Sequence, residues 1–144
     1  MSANQTYQNH VRWYPLVHFV LFPLLLIHLI WRIVQLYQVP TLDRAESVLF
    51  VISMIILTLA ARAQALRAQD RVIRLEERLR YGGLLSAEAL EKAGELSIGK
   101  IIALRFASDA ELPGLVERVL AGELDSSKEI KLAIKNWRGD HLRV

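Results

Sequence analysis

A chain of 144 residues, 53% of them hydrophobic, has room for one membrane hairpin and one small appended domain, which excludes a large enzyme core. It holds no cysteine, so disulfides, thiolate chemistry and cysteine zinc sites are excluded as well. The net charge of +3 is unevenly spread: residues 1–80 carry nine basic and five acidic side chains, residues 81–144 nine and ten.

After a polar segment of residues 1–12, the stretch from Trp13 to Trp31 contains 19 residues without Lys, Arg, Asp or Glu. At 1.5 Å per residue a helix of that length covers a hydrocarbon core of roughly 30 Å, so a first transmembrane helix is expected over 13–36. Arg12, Trp13 and Tyr14 at one end, and Trp31, Arg32 and Tyr37 at the other, are the side chains that settle in the headgroup layer. No small-residue cleavage site follows the span, which argues for a retained anchor rather than a signal peptide. His18 and His28 lie within it, but about 15 Å of helical rise keeps them from sharing one metal. No cofactor is expected from them, nor from His10 and His141 near the termini.

Pro40, Thr41, Leu42 and Asp43 suit a turn and a helix start, giving a loop over 37–44. A second span is expected over 45–66, where Ser47 to Ala61 is uncharged and the long stem of Arg62 can reach back to the interface. The exit of this span carries Arg62, Arg67, Arg71, Arg74, Arg78 and Arg80, against Arg32 and Arg44 around the turn. Basic residues accumulate on cytoplasmic flanks, so both termini are expected in the cytoplasm and the turn outside it.

The helical pattern continues over 67–81 as an amphipathic extension, with Gly82-Gly83 expected to end it. Ala65, Ala68, Val72, Leu75 and Leu79 repeat at 3-4-3-4 spacing and form a narrow apolar seam, with the arginines roughly opposite. The seam is a candidate partner surface. Two heptads fall short of a sustained coiled coil, and packing against the chain's own C-terminal domain is the first expectation.

Residues 82–144 read as a small helical domain. Ser86 and Ser97 precede apolar helical stretches, the second from Ile98 to Ala107, and Ser108 with Glu111 and Ser126 with Glu129 match the capping-box spacing. Leu112, Leu115, Val116, Val119 and Leu120 mark one buried face; Ile130, Ala133, Ile134 and Trp137 mark another. Lys128, Lys131, Lys135 and Arg138 form a candidate basic contact face on the last helix. The near-neutral charge of the domain argues against nucleic acid as its partner. Gly94 to Lys100 matches part of a phosphate-binding loop, but Ile101 stands where that motif needs Ser or Thr, and no strand precedes it.

The stretches Tyr7 to His10, Arg62 to Arg71, Ile101 to Asp109 and Ile134 to Arg138 resemble a family of small bacterial membrane proteins that bears a domain-of-unknown-function label. The resemblance implies two spans and a helical tail in a bacterial inner membrane, and it carries no activity, cofactor or site residue. The sequence thus predicts an all-α chain: a transmembrane helical hairpin, a second helix extended into the cytoplasm, and a small helical tail. The expected role is a non-enzymatic accessory or scaffold subunit that contacts lipid and a membrane-protein partner or a second copy, by analogy with small subunits of respiratory or photosynthetic assemblies. The alternative is a membrane-tethered regulator whose tail binds nucleic acid or a soluble signalling protein.

Overall fold

The structure, a computed structural model, describes residues 6–8 and 13–140. Every regular element in them is helical, apart from a single antiparallel bridge between Ala107 and Trp137. The chain divides into two units, one over 13–66 and one built mainly from 67 onward.

In the first unit, α1 spans Leu16–Gln38. Its opening, Leu16–Leu21, is wound as a π-helix, and Phe22 N donates to Val17 O, five residues back. Pro23 follows at once; it has no N–H to give to the carbonyl one turn earlier, and the wider winding accommodates that gap. Val39 ends α1 in an extended conformation because Pro40 disfavours helix in the residue before it.

The next helix, α2, begins at Leu42 and runs without interruption to Leu84. The break between α1 and α2 is therefore shorter than the expected 37–44 loop. Asp43 sits in the first turn of α2, where a negative charge complements the exposed N–H groups. The hydroxyls of Ser47, Ser53 and Thr58 donate to carbonyls four residues back, so these polar groups in an apolar helix are satisfied locally. Both α1 and α2 are long and apolar enough to cross a membrane. None of the residues of α1 is buried, and between 42 and 66 only Val51 is.

Gly82 and Gly83 do not end α2. Both stay helical, and the left-handed conformation that favours a glycine terminator occurs instead at Gly122, with φ of 79°. There Gly122 N bonds Val119 O and Glu123 N bonds Arg118 O, the paired closure that stops a helix at a left-handed residue.

In the second unit, the end of α2 is joined by α3 (Ala87–Gly94), α4 (Ile98–Leu104), α5 (Leu112–Leu120) and α6 (Ser127–Ala133). Ser86 caps α3 by accepting from Ala89 N, and Ser126 with Glu129 forms a complete capping box at α6. Ser108 and Glu111 do not form one, although their spacing is the same. Glu111 instead accepts from the backbone N and side-chain Nδ2 of Asn136, so the carboxylate that would close the box holds the C-terminal segment. Helix α4 also stops at Leu104 rather than at Ala107, because Phe106 O and Ala107 turn into the bridge with the 136–138 segment.

Tyr81, Leu104, Phe106, Leu112, Val116 and Ile130 are essentially inaccessible and form the centre of this unit. Gly99 lets α4 approach α6 closely: an added Cβ would stand 3.1 Å from Ser127 Oγ, which donates to Gly99 O at 2.9 Å. The expected apolar faces of α5 and of the 130–137 segment line this core, with Leu120, Ala133 and Trp137 at its margin.

Candidate functional site

The second unit contains a charged cleft of about 590 Å³ that composition and spacing do not reveal. Glu77 and Arg80, one turn apart on α2, lie on the face turned into the unit; their side chains are 6% and 10% exposed. Arg80 is held from four sides. Its Nη1 is 3.1 Å from Glu77 Oε2, its Nε donates to Asp109 Oδ1 at 2.7 Å, and its Nη2 donates to Ala107 O at 2.7 Å. Nη1 also reaches Arg105 O at 3.5 Å.

Arg105 is the second buried cation. Its Nη1 lies 3.1 Å from Asp140 Oδ2, and its guanidinium carbon stacks 4.7 Å from the centre of the Phe106 ring. Arg138 approaches Glu77 at 4.0 Å from the other side. Burial pushes the Glu77 carboxyl above its ordinary value, against the pull of Arg80, Arg138 and Arg105. Burial, then the nearby Glu77 charge, also raises the Tyr81 phenol. The result is a balanced set of opposite charges that clamps α2, the α4–α5 connection and the C-terminal segment together.

The sequence-predicted residues distribute differently. Val72, Leu75 and Leu79 of the seam are 53%, 60% and 74% exposed, so the expected packing against the tail is not made. The face of α2 buried in this unit carries Ile73, Glu77 and Tyr81 instead. Ala65 is half-buried and Ala68 exposed. The arginines do not form one solvent row either, because Arg74 is half-buried and Arg78 reaches Gly94 O.

The basic contact face is also divided. Helix α6 ends at Ala133, which leaves Lys135 and Arg138 beyond it, and the Lys131 ammonium sits 5.8 Å from the Phe106 ring. Lys128 and Lys135 are exposed. In the phosphate-loop look-alike, Gly94 ends α3, Ser97 precedes α4, and Lys100 pairs with Asp125 at 2.8 Å.

Trp13, Tyr14, Trp31 and Tyr37 are exposed at the ends of α1, and Arg32 and Arg62 are half-buried; Arg12 lies outside the described residues. Within α1, His18 Nδ1 lies 2.9 Å from Tyr14 O, and His28 Nε2 accepts from Arg32 Nε at 3.1 Å. His10 and His141 are outside the described residues. Among the described residues, no three His, Asp or Glu side chains converge as a metal-holding group.

A family model described as "Family of unknown function (DUF6526)" matches residues 1–144. The chain belongs to the DUF6526 family. No curated protein and no solved structure matches it. This DUF6526 chain thus carries a buried charged clamp and, on another side of α2, an exposed apolar seam. One signal for the clamp was present in the sequence: Arg105 interrupts the apolar run from Ile101 to Ala107, and a charge in a buried run needs a partner.

Proposed function

We propose that this chain is a non-enzymatic accessory or scaffold subunit of the bacterial inner membrane, anchored by a hairpin of α1 and α2 and carrying its helical unit in the cytoplasm. The observation that supports it is the exposure of apolar side chains on helices of spanning length: Leu24, Ile27, Ile30, Leu49, Phe50 and Ile56 are all exposed. Each would cost about 1 kcal/mol or more in water, a cost that a hydrocarbon core removes. The cytoplasmic side is supported by six arginines from Arg62 to Arg80, at and beyond the exit of the second span, against two at the turn. Scaffolding rather than catalysis accords with a charged clamp whose groups are occupied with one another.

The reading as a tethered DNA-binding regulator has less support, since Lys131 lies over the Phe106 ring, Arg138 approaches Glu77, and Lys135 and Arg138 fall beyond the end of α6. Reporter fusions test the topology: one active only in the cytoplasm should work when fused after Val144 and fail when inserted at Pro40. Mild-detergent extraction with crosslinking then tests the scaffold role, which recovery of monomer alone from native membranes would overturn.

A further inference from the structure

Two faces of α2 beyond Arg67 have different fates. If Val72 and Leu79 are placed at heptad positions a, and Ala68 and Leu75 at positions d, then Ile73 and Arg80 fall at b, Tyr81 at c and Glu77 at f. Every residue that the second unit buries along this stretch therefore points away from the seam, by more than a right angle around the helix. The tail takes the b, c and f side and leaves the a and d side open.

The flanks of the seam carry charge. Arg71 and Arg78 fall at g and Glu76 at e, and Arg71 and Glu76 are both exposed. In a parallel two-stranded coiled coil, position g of one helix faces position e of the other five residues further on, so Arg71 meets Glu76. In an antiparallel pair g faces g, which would bring Arg71 against Arg78. Val72 at a with Leu75 at d is also the pairing that favours two parallel strands.

We propose that the seam binds a second copy of this chain in a parallel, in-register coiled coil over Ala68–Leu79, with Arg71 of each copy paired to Glu76 of the other. Ala68 stands at the membrane-proximal end and lets the two backbones come close. Only the parallel sense draws on the membrane reading, since two copies inserted alike present α2 in the same direction; the seam and its flanking charges do not depend on it.

The absence of cysteine makes the test direct. Val72→Cys, Leu75→Cys and Leu79→Cys place single thiols on exposed seam positions, and Arg67→Cys places one on an exposed c position as control. In native membranes, oxidation should link the three seam variants into a species of twice the chain mass, with a yield roughly fivefold above the control. In the Val72→Cys background, Arg71→Glu or Glu76→Arg should lower the yield about threefold, the loss of two symmetric exposed pairs, and the double reversal should restore it. Equal yields at 67 and 72, a product of any other mass, or no restoration by the double reversal overturns the proposal. Alkaline extraction of the same membranes reads the membrane anchor separately: release of the chain would sink that reading, while crosslinking at 72 and 75 would still report the pair.

Discussion

Asp109 Oδ1 stands 2.6 Å from Nη2 of Arg80, and this contact across 29 positions ties the end of α2 to the turn before α5. The two partners differ in weight. Asp109 is 68% exposed, so its charge is largely screened, whereas Arg80 also neutralises the buried Glu77 and satisfies the Ala107 carbonyl. Arg80→Ala is expected to destabilise the folded chain by about 3 kcal/mol, because it strands a buried carboxylate. Arg118→Ala, which removes the exposed pair with Glu123, should change stability by less than about 0.5 kcal/mol. Thermal unfolding of the full chain in detergent measures both.

Glu77 sets a pH dependence of definite sign. Its folded-state pKa is raised by burial, so folding favours the protonated form. The stabilisation is therefore complete below the ordinary glutamate value of 4.5 and is lost as pH rises through the raised value. The lowered carboxyls of Glu88, Asp125 and Glu129 act in the opposite sense, with stability present above their ordinary values and lost as pH falls. A melting series carried upward from pH 4.5 should show a declining contribution that Glu77→Gln removes. An unchanged slope in that variant would refute the assignment.

Two serines with the same downstream spacing should respond differently. Ser126→Ala removes a cap that accepts from Glu129 N at 3.2 Å and is expected to cost about 1 kcal/mol. Ser108 Oγ is buried and has no hydrogen-bond partner among the described residues, so Ser108→Ala should be neutral or stabilise by up to about 1 kcal/mol. Denaturant unfolding of the two variants side by side decides between them.

The core offers a similar contrast between ring and hydroxyl. Phe106 is fully buried and packs 5.0 Å from the Trp137 ring, so Phe106→Ala should cost about 3–5 kcal/mol. The Tyr81 hydroxyl is buried without a hydrogen-bond partner among the described residues; Tyr81→Phe should therefore leave stability unchanged or raise it by about 1 kcal/mol. A large loss in the phenylalanine variant would show that the hydroxyl is bonded.

What the sequence determined by itself was local in origin. The uncharged run from Trp13 to Trp31 and the apolar stretch after Ser47 are long enough for spanning helices, and a helix closes its hydrogen bonds within itself. The Val39-Pro40 break and the caps at Ser86 and Ser126 act over four residues or fewer, so local side chains are enough to nominate them. Periodicity could not choose which face of α2 receives the tail, since that helix presents Val72, Leu75 and Leu79 on one side and Ile73 and Tyr81 on another. Tertiary structure made that choice, burying the side on which Arg80 pairs with Glu77 one turn away and also reaches Asp109, 29 positions along the chain. It also sent Glu111 to Asn136 rather than to its own helix start, because a carboxylate within reach of two donors on a returning segment satisfies both, and no local pattern records where that segment returns.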